Sequence, residues 1–400
     1  MPPEHRSRAL LLICLSALAV ATNYTIHGPV LGFIRADLDI GAGDAGAIAT
    51  AFFVGAAATM LFGGAIADRL GTKPAVTAGF LLVVVSNAGI ALAAPTFEAL
   101  LAWRVLGGLG GGFSFAAGAS YTRSIFDDRG RHLAQGLYGA AFLLGSSLTL
   151  VYIPWLAGPD GDWRRAFMIS AVAVAASWLA WALLAPSEPT PTRLGGATAA
   201  FVRALRERNT ILLALCHMCG FGMAMVVGTW VTLYLADSFG LAVALAGALG
   251  SLGLILGIVG RASGGGILEA GTPPVRLIRG ALALAALGLA GMAAATYVGP
   301  SAGIVVALGA IVATGLGVGL PYAAVFNGAA ASVPDSPATA QAIVGWGGLL
   351  IAIVGPPLVG VLLDITGGFA AGFLVLAAVP AVVLVLTTLL RPVRFTTDAD

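Results

Sequence analysis

Gly63-Gly64-Ala65-Ile66-Ala67-Asp68-Arg69-Leu70-Gly71-Thr72-Lys73-Pro74 sits between two long apolar segments and concentrates three charges in a sequence that has few. Its glycines suit a helix end and a tight reversal, because glycine reaches positive φ without a Cβ penalty. Asp68 is placed to face a neighbouring helix N-terminus, and Arg69 and Lys73 to hold the turn on the cytoplasmic side of a membrane. A basic turn with helix-breaking glycines is the plainer reading, but it does not predict a second copy of the stretch elsewhere in the chain.

The 400 residues are 59% hydrophobic and 10% charged, with a mean hydropathy of +0.98. Soluble chains carry roughly 25% charged residues, so lipid must solvate most of this one. A formal net charge of +2 is too small to suggest a nucleic-acid partner. The three cysteines, Cys14, Cys216 and Cys219, all lie in apolar runs, which argues against a disulfide framework. All sizeable apolar runs are therefore expected to pack as one helical bundle, since helices satisfy their own backbone in lipid.

A crossing needs about 20 apolar residues. Such stretches fall near 9–33, 45–67, 74–95, 98–121, 133–156 and 165–186, then near 210–236, 241–262, 275–298, 301–326, 338–363 and 369–390. The first has the basic start of a signal peptide, but its apolar run continues to Phe33, so it reads as an uncleaved span. Of the 20 Lys and Arg residues, Arg35, Arg164 and Arg165 fall on one side and Arg104 within a span. The remaining sixteen lie on the other side, which makes that side, with both termini, cytoplasmic.

The longest polar connection lies at the midpoint. Its Pro- and Gly-containing first part reads as a linker and Arg203-Ala204-Leu205-Arg206-Glu207-Arg208 as a short amphipathic helix on the inner membrane surface. The organisation expected is a six-helix half over 1–186, a cytoplasmic linker over 187–208 and a second six-helix half over 209–400. The halves look like repeats. Gly64–Thr72 recurs one residue shorter as Gly265–Thr272, and Gly108-Leu109-Gly110-Gly111-Gly112 in span 4 recurs as Gly315-Leu316-Gly317-Val318-Gly319 in span 10. Duplication of this kind implies alternating access around a midplane site.

The Gly-x-x-x-Asp-Arg-x-Gly-x-Lys run between spans 2 and 3 resembles the signature loop of the major facilitator superfamily of secondary transporters. Arg104 with Gly108 and Gly110 resembles that family's Arg-x-x-x-Gly-x-Gly pattern in the fourth span. The resemblance covers nearly the whole chain. It implies an all-α integral membrane protein of twelve transmembrane helices in two six-helix pseudo-repeats, with gating by Gly64, Asp68, Arg69, Gly71 and Lys73. Arg261 and Glu269 would form a weaker second gate, because Ala270 and Pro273 stand where the first loop has basic residues. The fifth span lacks the Gly-Pro pair that many drug antiporters of the family carry, which disfavours multidrug export.

Every Asp and Glu can be placed in a loop, at a span edge or in a tail. The titratable candidates deep in the membrane are then His27, in the patch Asn23-Tyr24-Thr25-Ile26-His27-Gly28-Pro29, and His217. Each reads either as a histidine hydrogen-bonded between helices or as a substrate contact or proton relay. Arg104 reads either as a tie through backbone carbonyls or as a transport residue. Tyr24, Trp230, Tyr234 and Trp346 are candidate cavity aromatics, with an outer aromatic belt the alternative for Trp230 and Tyr234. Cys216 and Cys219 are three apart, and with Met223 could hold a soft metal; ordinary packing is the plainer reading.

No nucleophile–base–acid set or phosphate loop is visible, so an enzyme is not expected. The sequence reads as a secondary active transporter of a small solute, with a weak preference for a small organic or inorganic anion and with protons as a coupling ion. The alternatives are a soft-metal (copper) transporter built on the seventh-span cluster and a drug or metabolite exporter. The lipid bilayer and the substrate are the expected partners, no cofactor or nucleic acid is implied, and a multi-pass monomer in the cytoplasmic membrane is expected.

Overall fold

The computed structural model describes residues 3–126, 128–186 and 197–391, and within these all side chains except those of 3–5, 61–70, 123–124, 128–133 and 197–200. The described residues are helical, with no strand. Twelve helices are long and apolar enough to cross a membrane: Arg6–Leu38, Ala42–Met60, Thr72–Ala93, Phe97–Thr122, Ala134–Ala157 and Trp163–Leu184, then Arg208–Phe239, Val243–Glu269, Pro274–Ala295, Pro300–Ser332, Pro337–Thr366 and Ala370–Leu389. These are spans 1 to 12 below. A chain this apolar must pair each backbone donor and acceptor within itself, and uninterrupted helix does that locally.

The residues form two compact units. The first holds spans 1–6 together with Gly228–Ala236 and Leu241–Ser251, which belong to spans 7 and 8; the second holds the remainder of spans 7 and 8, spans 9–12 and the helix Ala197–Arg206. That helix turns Phe201 and Ala204 into the core of the second unit and leaves Val202, Arg203, Leu205 and Arg206 exposed.

The turn between spans 2 and 3 differs from its expected form. Helix runs unbroken from Ala42 to Leu70, straight through Gly63 and Gly64, and the reversal falls on Gly71 alone. Gly71 has φ 91° and ψ 146°, a conformation closed to residues with a Cβ. The matching glycine of the second copy, Gly271, has φ 89°. The side chains of Asp68 and Arg69 lie outside the described ones. Lys73 donates to the Ala185 carbonyl at 2.6 Å, a cation at the C-terminal end of span 6 where helix carbonyls lack partners. Glu269 is exposed and forms no ion pair with Arg261.

The Gly-rich patterns of spans 4 and 10 do the same work in both units. A methyl at Gly108 or Gly112 would collide with the carbonyls of Phe52 and Ala56 in span 2. A methyl at Gly315 or Gly319 would collide with those of Gly253 and Gly257 in span 8. Each pair is spaced by four on both helices, so two helix surfaces meet backbone to backbone over a full turn. The internal repeat thus has a shared packing geometry as well as a shared sequence pattern.

Arg164 and Arg165, placed opposite the arginine-rich side, are held by acids. Arg164 pairs with Asp37 at 2.6 Å, and Arg165 with Asp160 at 2.7 Å. The Arg165 guanidinium holds the Asp160 carboxyl below the usual carboxylate range.

Gly108→Ala is expected to destabilise the protein by about 1–3 kcal/mol through overpacking. Gly139 has open space around it, so Gly139→Ala should be neutral or slightly stabilising by helix propensity. Thermal unfolding of the two variants in detergent checks this; equal midpoints would refute the tight contact between spans 2 and 4.

Candidate functional site

Span 1 is not one helix. Helix ends at Thr25, a turn covers Ile26 and His27, a single 3-10 turn follows at Gly28–Val30, and helix resumes at Leu31–Leu38. Pro29 explains the break, because it has no N–H to give to the carbonyl four residues earlier. The last carbonyls of the first half-helix are thereby left without their usual donors.

Arg104 of span 4 fills that gap. Its side chain is fully buried, and its Nη1 donates to the Asn23 carbonyl at 3.0 Å. Nε reaches the Ile48 carbonyl at 3.4 Å, Nη2 reaches His27 Nδ1 at 3.2 Å, and the guanidinium carbon lies 4.5 Å from the centre of the Phe52 ring. A cation at a helix C-terminus is favoured by the aligned peptide dipoles. The three hydrogen bonds offset the cost of an arginine in a bilayer, about 2.5–3.5 kcal/mol on insertion scales.

The same contacts fix the protonation of His27. A guanidinium only donates, so His27 Nδ1 must be the acceptor and the ring proton sits on Nε2. Nε2 lies 3.2 Å from Thr229 Oγ1, to which it donates. His27 is completely buried. Gly28 next to it lies against the backbone of Gly228 and Thr229, and a methyl there would stand 2.5 Å from the Gly228 carbonyl oxygen. A chain of contacts therefore runs Arg104–His27–Thr229 within the first unit.

Tyr24 packs edge-on against Phe52 and Phe142, with ring centres 4.6 and 4.7 Å apart, and its hydroxyl is buried without a partner. Beside Phe142 is a small cavity of about 10 Å³, room for about one water, lined also by Phe80, Ser114, Phe115 and Tyr138. The Ser114 hydroxyl is likewise unpartnered. Trp230 and Tyr234 are fully buried, which places them inside the protein and not in a belt facing headgroups. Trp346 is half-buried, just before a break in span 11.

In the second unit His217 lies among aromatic rings. Phe326 is 4.9 Å away, Tyr322 6.0 Å and Phe221 6.1 Å between ring centres. The guanidinium carbon of Arg261 stands 4.1 Å over the Tyr322 ring. Cys216 and Cys219 lie in an apolar core with Ile278, Leu282, Val325 and Val344, against which Phe326 also packs. Met223 is also fully buried. Among the described residues, no group of three His, Cys, Asp or Glu side chains is arranged to hold a metal.

Sequence reasoning did not single out Thr229 or Tyr322. Thr229 is an ordinary small polar residue until His27 is brought to it across 202 residues. Tyr322 had one signal, Pro321 beside it, which interrupts span 10 at that point.

The profile of the Major Facilitator Superfamily matches residues 13–339. Over 123 residues the chain is 37% identical to the multidrug resistance protein MdtL of Escherichia coli O139:H28 (strain E24377A / ETEC), and equally to that of Shigella boydii serotype 18 (strain CDC 3083-94 / BS512). That match covers 30% of this chain and 31% of the length of those relatives. Among solved structures, a bacterial homologue of the human lysosomal transporter Spinster superposes with a TM-score of 0.78 at 18% identity, covering 97% of this chain and 96% of that one. A D-xylose–proton symporter gives 0.78 at 13% identity, covering 98% and 99%. At such identities the likeness is one of fold. With the family profile spanning most of its length, twelve spans and a shared fold, the chain belongs to the major facilitator superfamily of membrane transporters, not to the enzymes.

Proposed function

We propose that the protein is a secondary active transporter that moves a small solute by alternating access and couples that movement to protons through His27. It favours a small organic or inorganic anion. It resides as a monomer in the cytoplasmic membrane with both termini inside, and its halves 1–186 and 209–400 move about the linker 187–208.

The observation that carries the coupling is the Arg104–His27–Thr229 chain. No Asp or Glu is buried among the described residues, so no carboxylate is available there to carry a proton across the interior. A proton added to His27 Nδ1 removes the acceptor that Arg104 uses and sets two cations 3.2 Å apart. That is a change large enough to bias one arrangement of the spans over another. Arg104 is engaged by carbonyls and by His27, so it acts as a tie and a sensor of His27, not as the group that touches substrate.

A second reading, drug export, rests on the 123-residue match to the multidrug resistance protein MdtL and on the aromatic lining of the first unit's cavity. Proton-driven efflux of ethidium from proteoliposomes would favour it. The soft-metal reading has less support, because both cysteines face apolar side chains.

Solute-driven proton flux in proteoliposomes should fall about tenfold or more, some 1.4 kcal/mol per decade, in the double variant His27→Gln with His217→Gln. His27→Gln alone should account for nearly all of that loss. Undiminished flux in the double variant rejects histidine coupling.

Arg104→Ala should abolish transport, and Arg104→Lys should restore it only in part, because an ammonium cannot reproduce the fork that joins Asn23, Ile48 and His27. A well-folded Ala variant with normal rates would remove Arg104 from the cycle.

Asp68→Asn is expected to slow transport while leaving substrate affinity nearly unchanged, since the residue lies at a span end, far from midplane. Equilibrium binding measured beside transport rate checks this, and a large loss of affinity would place Asp68 in the substrate site instead.

A further inference from the structure

Two arginines well inside their spans, Arg104 and Arg261, meet opposite fates. Arg104 has three hydrogen-bond partners. Arg261, in span 8, has no hydrogen bond and no ion pair among the described residues; its contact is the face of Tyr322. It is partly exposed and so reachable by a ligand.

Its level along span 8 is shared by residues of three other spans. Arg261 stands eight residues before the end of span 8, and His217 nine residues after the start of span 7. Tyr322 stands ten residues before the end of span 10, and Gly348 eleven after the start of span 11. Consecutive spans run in opposite directions, so these four ends share one side. At 1.5 Å per residue the four residues form a layer about 12–17 Å from those helix ends; the helices, 27 to 33 residues long, overrun a hydrocarbon core of about 30 Å, so the layer lies within the half of that core nearer those ends.

Three of those spans are broken in this layer. Span 7 passes through a π-helical turn at Met218–Gly222, span 10 is interrupted at Leu320 and Pro321, and span 11 changes helix at Gly348. Irregular backbone at membrane depth is tolerated where it lines a cavity, and transporter sites are built from such discontinuous helices. Gly348 brings span 11 against His217, since a methyl there would meet the ring Cδ2 at 2.8 Å. His217 is nine-tenths buried and makes no hydrogen bond among the described residues.

We infer that Arg261, Tyr322 and His217 form a binding site for a small monocarboxylate with an apolar body. The inference rests on the transporter reading and names the substrate class of that reading. A guanidinium standing over the Tyr322 ring has no hydrogen bond among the described residues, and its edge matches a carboxylate with two parallel N–H···O bonds. His217 supplies a ring N–H beside it. One fixed positive charge favours one negative charge on the ligand, and Phe326 and Phe221 offer the ring faces against which the rest of it packs. Without an anion, an intramembrane arginine lacking partners is a cost with no return in stability.

The test uses purified full-length protein in lipid nanodiscs, with benzoate as probe and benzamide as its neutral counterpart, read by calorimetry and by thermal shift. Wild type should bind benzoate saturably and benzamide at least tenfold more weakly. Arg261→Gln should lose at least tenfold in benzoate affinity, Arg261→Lys several-fold, and Tyr322→Phe little. Arg276→Gln removes an exposed charge elsewhere and should change nothing. Should Arg261→Gln fail to fold, Arg261→Lys puts the same question. Equal binding of benzoate and benzamide, or full benzoate affinity in the folded Arg261 variants, overturns the site. A wild type that exchanges protons for ethidium in proteoliposomes yet does not bind benzoate overturns the carboxylate site and leaves the transporter reading intact. Arg261-dependent benzoate binding by a protein that moves no solute supports the site and counts against the transport cycle.

Discussion

One guanidinium at the break in span 1 is the constraint on which the first unit depends. Pro29 ends a helix in the interior of the protein, where water is not at hand to pair the released carbonyls. Arg104 supplies a donor to the Asn23 carbonyl at that break, reaches the Ile48 carbonyl of span 2 and adds His27 to the set. The arrangement solves two problems together, since a buried cation needs acceptors and a broken helix end has them to give. It also dictates which nitrogen of His27 carries the proton, because the partner is a pure donor. The break, the charge and the histidine are therefore one device.

Close backbone packing sets how these helices can be placed. Gly108 and Gly112 lie on the carbonyls of Phe52 and Ala56, which brings span 4, and with it Arg104, near enough to span 2 for Arg104 to reach Ile48 and the Phe52 ring. Lipid tails offer little hydrophobic drive for helix association, so dispersion contacts between small residues carry it. The second unit repeats the device with Gly315 and Gly319 on Gly253 and Gly257. There the arginine of span 8 lies over Tyr322, in span 10, and has no hydrogen bond among the described residues.

Much of this was legible in the residues. Twelve apolar stretches, the positive asymmetry, the paired Gly-rich patterns and the two copies of the turn announce a duplicated helical membrane protein. The copies proved to share more than pattern, since Gly71 and Gly271 have nearly the same positive φ. The signature was legible as a turn but not in detail. Gly63 and Gly64 were expected to end the helix, yet helix continues to Leu70 because glycine is merely weakly disfavoured there and one residue at positive φ suffices to reverse the chain. Trp230 and Tyr234 fit a lipid-facing belt and an interior wall equally well by type and spacing.

The sequence by itself determined the number of spans, their duplication and most of the short roster of polar residues that enter the membrane, Arg261 excepted. It could do so because helix length, hydropathy and glycine spacing are local properties. Tertiary structure alone decided what those polar residues do. Arg104 and Arg261 are both arginines in apolar helices; by sequence Arg261 was counted with the cytoplasmic charges, and only the packed helices set it within span 8 over Tyr322. Arg104's partners lie 56, 77 and 81 residues away, and His27 meets Thr229 across 202. A hydrogen bond is a fact about distance in space, so whether a buried charge is already paired or still waiting for a ligand is settled only when the helices are packed.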